Sequence, residues 1–243
     1  MKKREMKRHF NRRLCQMIID MHMHEMRYSG DSFLRLENMV EIAKRRGLDG
    51  ICITDHDSMG LKEFAAEYSE KTGFPIFVGI EFYSLQGDIV AFGIEDYPKE
   101  RIPAQEFVDL VQAQGGMCFS AHPFRNNNRG LEENLKIVKG LDGIEVLNGS
   151  TLYEANRKAA EYAAELGLAT VGSSDCHVPE KLGLYATYFP REIRSVQELI
   201  RSVKRCETLP VYYKEGGYYL WDMKNPIDAP FHIYEQEQMV CAG

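Results

Sequence analysis

Five of the seven histidines follow short apolar runs, in segments that also carry aspartate or proline. Each of these runs has the length and composition of a buried β-strand. Imidazole nitrogens and carboxylate oxygens are the ligands that zinc, manganese and iron use in proteins. Metal chemistry at the ends of strands is therefore the first hypothesis. The five are His22, His24, His56, His122 and His177, in the segments DMHMH (20–24), TDHD (54–57), AHP (121–123) and SDCH (174–177).

The spacing within two of these segments lets side chains converge. In extended backbone, side chains two residues apart point to the same face, so His22 and His24 can aim at one point, and so can Asp175 and His177. A single pair is weak evidence, because polar residues at strand ends often cap helices or form turns. The pattern recurs after several strands, and Glu81 closes another. Together these positions favour a multinuclear metal site.

Residues beside the histidines have structural interpretations as well as functional ones. Asp20, Asp55 and Asp57 fit outer partners that hold imidazole tautomers by hydrogen bonds. For Asp57, capping of the following helix is an equal alternative. Cys176 lies between two candidate ligands and should point away from them, so we interpret it as a packing residue.

Apolar runs alternate with amphipathic stretches along most of the chain, which predicts βαβ units and a mostly parallel sheet. About seven repeats in roughly 200 residues favour an α/β fold built as a distorted (β/α)7 TIM-like barrel, with a doubly wound open sheet as the alternative. In such a barrel all strands end at one rim, which would bring residues 20 to 177 together. The predicted strands are Leu14–Met21, Leu48–Ile53, Pro75–Ile80, Asp88–Phe92, Met117–Ser120, Gly143–Val146, Ala169–Gly172, Tyr185–Phe189 and Thr208–Tyr213. The predicted helices are Phe33–Arg46, Leu61–Lys71, Ala104–Gln114, Leu131–Lys139, Tyr153–Leu166 and Val196–Lys204.

Charge is unevenly distributed along the 243 residues. Residues 1–13 hold seven of the 30 Lys and Arg and one of the 36 Asp and Glu, which leaves 23 basic against 35 acidic residues, or −12, in the rest. An acidic body argues against general nucleic-acid binding, because affinity for polyanions depends on basic residues that neutralise phosphates. The basic segment is interpreted as a solvated terminus or, alternatively, as a nucleic-acid arm.

Composition also bounds the class of protein. A hydrophobic fraction of 44% with 27% charged residues supports a packed core, and no apolar run approaches the roughly 20 residues that span a bilayer. The six cysteines lie far apart with no CxxC pair, which argues against a disulfide framework and a zinc ribbon. We therefore expect a cytoplasmic protein with a basic leader at 1–13, a barrel at 14–205, and a β-hairpin (Tyr212–Trp221) with a tail at 206–243 packed on the barrel.

In combination, the motifs DMHMH, TDHD, GIE (79–81), AHP and SDCH resemble those of the PHP family, named for polymerase and histidinol phosphatase, over about residues 17–190. The resemblance implies a metal-dependent phosphoesterase on a seven-stranded (β/α) barrel, with two or three divalent ions of zinc, manganese or iron. It also implies a catalytic centre at Glu81, His122 and Asp175. The implied ligands are His22, His24, Glu81 and Asp175 for one ion, Glu81 and His122 for a second, and His56, His177 and Asp31 for a third.

Two positions depart from the family pattern. Asp31 lies slightly farther from the HxH motif than the acidic ligand of the commoner version. Asp88 stands where many relatives place a histidine. An aspartate can still coordinate, and its oxygen would make the second site harder, which favours manganese, iron or magnesium over zinc. Both stay candidate ligands, and the identity of the metal is left open.

Polar residues on two loops are candidates for substrate binding. Arg125 and Arg129 follow the AHP motif, and guanidinium groups suit bidentate phosphate binding, with a solvated loop as the alternative. Asn148, after a predicted strand, is a further candidate contact, and Glu145 is interpreted as a buried structural acid.

The leading hypothesis is hydrolysis of a phosphate mono- or diester of a small metabolite or (oligo)nucleotide by a metal-activated water. An amidohydrolase-type enzyme also begins with HxH on a barrel strand, but it commonly uses a bridging modified lysine where this sequence has Glu81. A non-catalytic metal-binding PHP module is the third interpretation. The presence of nearly all the ligands argues against it. We expect neither a stable nucleic-acid complex nor a membrane partner, and the oligomeric state is left open.

Overall fold

The structure is a computed structural model that describes residues 16–222, so the basic segment 1–13 and the end of the tail lie outside the described residues. The described chain forms strands and helices that alternate over most of its length. The strands are β1 (Met17–Asp20), β2 (Gly50–Ile53), β3 (Ile76–Val78), β4 (Ile80–Tyr83), β5 (Asp88–Phe92), β6 (Met117–Ser120), β7 (Gly143–Asn148), β8 (Ala169–Ser173), β9 (Tyr185–Phe189), β10 (Leu209–Lys214) and β11 (Gly217–Leu220). The helices are α1 (Leu36–Arg46), α2 (Lys62–Thr72), α3 (Ala104–Ala113), α4 (Tyr153–Leu166) and α5 (Val196–Lys204), with a 3-10 helix at Glu132–Lys136.

The strands form two sheets. One has six strands in the order β11-β10-β9-β1-β2-β3, and the other has five in the order β4-β5-β6-β7-β8. Gly79 alone separates β3 from β4, where the chain leaves the first sheet for the second. Isolated bridges Met23–Cys176 and His56–Glu81 tie the sheets at one edge. The fold is mixed α/β, and within residues 16–222 the two sheets do not close into one hydrogen-bonded barrel.

Both sheets share an apolar core. One buried cluster takes side chains from β1 and β9 of the first sheet, such as Ile19 and Phe189, and from β5 and β6 of the second, such as Phe92 and Phe119. A second cluster lies between the first sheet and α1 and α2, and a third between the second sheet and α3 and α4. The helices therefore cover the outer faces, and the strands between them are buried on both sides.

Helix boundaries follow local chemistry. In α1 the side chains at helical spacing, Leu36, Met39, Val40 and Ala43, are the buried ones. Gly47 ends this helix in the left-handed region, at φ 75°. α5 begins after Ser195, whose hydroxyl accepts a hydrogen bond from the Glu198 backbone N–H. No described helix has both the length and the apolar character needed to cross a membrane.

Two features of the fold differ from the prediction, and a third is present as predicted. The sheets are not mostly parallel, because β5 runs antiparallel to β4 and β6, and β9 antiparallel to β1 and β10. The predicted helix Leu131–Lys139 is a 3-10 helix over Glu132–Lys136, preceded by a tight loop at Gly130, where an added Cβ would strike the Pro123 carbonyl group. The predicted β-hairpin near the end is present as β10 and β11, and it extends the six-stranded sheet through β9.

We expect Gly79→Ala to lower the stability of the protein by about 1–3 kcal/mol. A Cβ at residue 79 would lie far inside van der Waals contact with the Ala91 carbonyl oxygen and 2.7 Å from the Phe92 ring. The backbone at the β3–β4 junction must then move away from β5. Thermal unfolding followed by circular dichroism measures the change. Gly217→Ala is the control, because nothing lies within 4 Å of a Cβ there; equal stability of the two variants would contradict the prediction.

Candidate metal centre

The candidate ligands lie at one edge of the molecule, where β1, β2, β6 and β8 end. Asp88 reaches the same edge from the beginning of β5, because that strand is antiparallel to its neighbours. Backbone hydrogen bonds join the connecting segments directly: the Asp175 N–H donates to the His22 carbonyl at 2.9 Å, and the Glu81 N–H donates to the Asp55 carbonyl at 3.2 Å. The edge is therefore held by the same backbone ladder that builds the sheets.

The most buried part of the centre contains two imidazoles and two carboxylates. The Nε2 atoms of His22 and His24 are 3.1 Å apart. Asp175 Oδ1 lies 3.7 Å from the first and 3.2 Å from the second, and Glu81 approaches the same atoms at 3.4 and 3.7 Å. These four side chains are almost entirely inaccessible to solvent. Their donor atoms thus surround one point from several elements.

Two further groups adjoin this one through Glu81. His122 Nε2 lies 2.9 Å from Glu81 Oε1, and His56 Nδ1 lies 2.6 Å from Glu81 Oε2. On the solvent side, Asp31 Oδ2 is 3.2 Å from His56 Nε2 and 3.4 Å from His177 Nε2. The Asp31 side chain is 60% exposed, whereas those of His56 and His177 are 26% exposed. The centre therefore opens to solvent beside Asp31.

These donors fit divalent cations. Three groups each place three ligand atoms within 4.8 Å of one another: His22, Glu81 and His122; His22, His24 and Asp175; and His24, His56 and His177. Two atoms bound to one tetrahedral ion at about 2.1 Å lie roughly 3.4 Å apart, which matches the separations around His22 and His24. Among the described residues, His122 Nδ1 is buried without a hydrogen-bond partner. Glu81 Oε2 is buried against the imidazoles of His24 and His56. A buried carboxylate needs compensating positive charge, which a bound cation would supply.

Glu81, Asp175 and His24 have the ionisation states that bind metal. Burial acts to raise the pKa of Glu81, but positive charge on His22 and hydrogen bonds from its neighbours hold that pKa well below its usual range. Burial likewise opposes ionisation of Asp175, and Arg125 and His22 hold its pKa well below the ordinary value. Burial lowers the pKa of His24 to about 3, so its imidazole is neutral. Anionic carboxylates and a neutral imidazole are the forms that coordinate ions.

Outer partners fix the orientation of the two buried histidines. The fully buried Glu145 lies 3.2 Å from His22 Nδ1, and its other oxygen accepts the His122 backbone N–H at 2.6 Å. Ser29 Oγ lies 3.2 Å from His24 Nδ1 and donates to Asp55 at 2.8 Å. Both imidazoles therefore direct Nε2 toward the other donors. Asp55 is therefore linked to the His24 imidazole through the hydroxyl group of Ser29. The sequence motifs did not indicate Ser29.

Two of the flanking aspartates do not have the predicted partners. Asp20 accepts hydrogen bonds from the backbone N–H groups of Ser174 and Gly183 rather than from an imidazole. Asp57 accepts the Tyr83 N–H at 2.8 Å, and α2 begins only at Lys62, so it neither holds a tautomer nor caps that helix. The sequence motifs gave only local information, whereas the observed partners of Asp20 and Asp57 lie in distant segments of the chain.

The predicted substrate-binding residues lie against the centre's carboxylates. Arg125 forms an ion pair with Asp175 and donates to Asn148 Oδ1 at 2.7 Å. Arg129 donates to both oxygens of Asp88, from Nε at 2.6 Å and from Nη2 at 2.9 Å. Asn148 is fully buried, and its amide group donates to Glu145 at 2.9 Å. This burial favours a positioning role for Asn148.

Two of the seven described non-glycine residues with a positive φ are candidate ligands. His122 and Asp175 have positive φ values of 29° and 49°, a region that residues with a Cβ seldom adopt. Each follows the last residues of a strand, β6 or β8, where the chain must turn to present the side chain at the edge. Such strain persists where surrounding contacts over-determine it, and it is common at functional sites.

Comparison with known proteins gives a consistent result. A family model described as PHP-associated matches residues 153–208. An uncharacterized protein of Methanocaldococcus jannaschii is 28% identical over 140 residues, which cover 53% of this chain and 80% of that protein.

Two solved structures share the fold. A two-domain protein of Bacteroides vulgatus, which contains a predicted PHP-like metal-dependent phosphoesterase, superposes with a TM-score of 0.66 at 22% identity over 82% of this chain. A lesion-specific endonuclease of Pyrococcus furiosus superposes with a TM-score of 0.63 at 17% identity over 84% of this chain. The similarity covers 65% of the first protein and 57% of the second, so this chain spans less than two thirds of either.

Proposed function

We propose that this chain, which belongs to the PHP domain family, is a metal-dependent phosphoesterase acting on a phosphate ester of a small metabolite or a nucleotide. One observation carries the proposal. Eight imidazole and carboxylate side chains from five separate segments converge at one edge of the sheets, with Glu81 in contact with four imidazoles. No ordinary stabilising role accounts for so many buried ionisable groups in one place.

The donors divide among candidate ions of zinc, manganese or iron. Bound divalent ions would supply the positive charge that phosphate transfer needs and would acidify a water molecule near neutral pH. Glu81 lies between the groups and is the candidate bridging ligand, as its two oxygens face different imidazoles. The residues that would hold the ions are His22, His24, His56, Glu81, His122, Asp175 and His177, with Asp31 at the solvent edge.

The two arginines of the loop after β6 are the proposed phosphate-binding residues. Both guanidinium groups lie beside carboxylates of the centre, Arg125 at Asp175 and Arg129 at Asp88. Guanidinium groups offer several donors in one plane and so can bond a carboxylate and a phosphate oxygen together. In this proposal they orient the substrate, and Asn148 holds Arg125 in place.

The proposal also concerns the size of the substrate, which we take to be small. The solved endonuclease is the longer protein, and this chain matches only 57% of it, so action on a nucleic-acid duplex is not carried over. Outside residues 1–13 the chain is strongly acidic, which favours a small substrate recognised at the centre itself.

The test is a phosphate-release screen on the purified full chain. We expect release from at least one nucleotide, sugar phosphate or histidinol phosphate after manganese, iron or zinc is supplied, loss of release with EDTA, and recovery when the metal is restored. Phosphodiester and amide substrates belong in the same screen. Hydrolysis of amides alone would favour the amidohydrolase interpretation, and metal binding without any hydrolysis would favour a non-catalytic module; either result would contradict the proposal.

A further inference from the structure

Tyr83, the last residue of β4, lies against two arginines beside the metal centre. The Arg129 guanidinium carbon is 4.3 Å from the centre of the Tyr83 ring, and that of Arg101 is 3.6 Å from it. Guanidinium groups at these distances are attracted to the electron-rich face of an aromatic ring. Tyr83 is half-buried and belongs to none of the sequence motifs that identified the centre. Its ring therefore contacts the arginine that pairs with Asp88.

The backbone fixes the Tyr83 ring at this position. Tyr83 is paired with Asp88 across the antiparallel strands β4 and β5, and residues paired in this way carry their side chains on the same face of a sheet. The Tyr83 N–H donates to Asp57 Oδ1 at 2.8 Å, and the Tyr83 carbonyl oxygen accepts from Arg101 Nε at 3.2 Å. The ring is thus held next to the Asp88 carboxylate by bonds on both sides of its own backbone.

The hydrogen bonds to Asp88 leave one motion of the Arg129 guanidinium free. Asp88 accepts one donor from Nε and one from Nη2, so two of the five N–H donors of the group are used and three remain. Both bonds lie along one edge of the guanidinium, and its plane can still tilt about that edge. This tilt decides where the remaining donors point. A ring packed against the face of the guanidinium fixes the tilt.

We propose that Tyr83 is a positioning residue, which sets the plane of the Arg129 guanidinium so that its remaining donors face the substrate phosphate. This inference rests on the proposed function, in which Arg129 binds that phosphate. A donor that is oriented before the substrate arrives avoids an ordering cost on binding. Loss of the ring therefore weakens binding of the phosphate group, whereas the step that breaks the ester bond is little affected.

Phosphate binding and steady-state kinetics of the full chain, loaded with manganese, test the proposal. We expect Tyr83→Leu to raise the Kd for inorganic phosphate, measured by calorimetry, and the KM for the best ester of the phosphate-release screen by about tenfold each. The kcat and the manganese content should stay at their wild-type values. Tyr83→Phe keeps the ring and should keep both the Kd and the KM.

A double-variant cycle shows whether Tyr83 acts through Arg129. Arg129→Gln should itself raise the Kd and the KM. Adding Tyr83→Leu to that variant should raise them no further, because no guanidinium is left to orient. Additive effects of the two substitutions would overturn the inference, since they would show that Tyr83 affects phosphate binding independently of Arg129.

Tyr213→Leu is the matched control. The Tyr213 ring lies on β10, 5.8 Å from the guanidinium carbon of Arg46. Arg46 donates to the backbone carbonyl oxygens of Glu180 and Leu182 instead of a carboxylate of the centre. This variant removes a tyrosine beside an arginine elsewhere in the fold, and it should leave the Kd for inorganic phosphate and the kinetic constants unchanged.

A folded Tyr83→Leu protein with the wild-type Kd and KM would overturn the inference while leaving the proposed function intact. So would an equal rise of both constants in Tyr83→Phe, because that variant keeps the ring. If circular dichroism shows that Tyr83→Leu is unfolded, Tyr83→Met takes its place with the same expected result. Wild-type protein that releases phosphate from no ester would overturn the proposed function and the inference together.

Discussion

We expect Glu81→Gln to reduce kcat for phosphate release by about 10³-fold or more. Glu81 is the buried anion between four imidazoles, with Oε1 facing His22 and His122 and Oε2 facing His24 and His56. An amide keeps the size of the side chain but loses the charge and one of the two acceptor oxygens, so it cannot bridge two ions. The measurement is steady-state kinetics at saturating manganese, with elemental analysis of the same sample.

A matched control separates this effect from a general loss of charge. Glu95 lies on the surface with an 80% exposed side chain and pairs with Lys62, so Glu95→Gln should leave kcat and metal content unchanged. Thermal unfolding shows whether the Glu81 variant is folded. Full activity in a folded Glu81→Gln protein would remove Glu81 from the catalytic centre.

Much of the fold could be predicted because local patterns determine its elements. The bounds of β5, β6, β9, α4 and α5 are those that apolar periodicity predicted. Gly47, Gly73 and Gly167, in the left-handed region, end α1, α2 and α4 directly after their amphipathic stretches. The candidate histidine ligands and Asp175 could be located for the same reason, since each follows a recognisable strand.

Non-local contacts explain what the sequence did not reveal. The direction of β5 depends on a tight hairpin after β4, in which Ser84 bonds Gly87, and the apolar run Pro75–Ile80 carries no sign of it. The same limit applies at the centre. Nothing near Asp88 or Asp175 in the sequence indicates that Arg129 and Arg125 bond them across 41 and 50 residues. Periodicity identifies the strands, but partners across the edge depend on their assembled order.

Glu145 shows both what the sequence could predict and what it could not. A glutamate within the apolar strand β7 indicates a buried acid, but its partners come from β1, β6 and β8. One oxygen faces His22 Nδ1 and accepts from Ser173, and the other accepts the His122 N–H at 2.6 Å. The carboxylate thus favours the His22 tautomer that leaves the Nε2 lone pair facing the centre. A partner of this kind also makes the imidazole a stronger ligand.

We therefore expect Glu145→Gln to weaken manganese affinity by about 10–100-fold without changing the number of ions bound at saturation. The amide can bond His22 through its oxygen but carries no charge, and its NH₂ group then faces two donors, the His122 N–H and the Asn148 amide group. The measurement is a manganese titration by calorimetry. Glu25→Gln is the control, because Glu25 is equally buried yet bonds the backbone N–H groups of Arg27 and Leu36 rather than an imidazole. If both variants lose affinity equally, the loss reflects general destabilisation and Glu145 has no particular effect on His22.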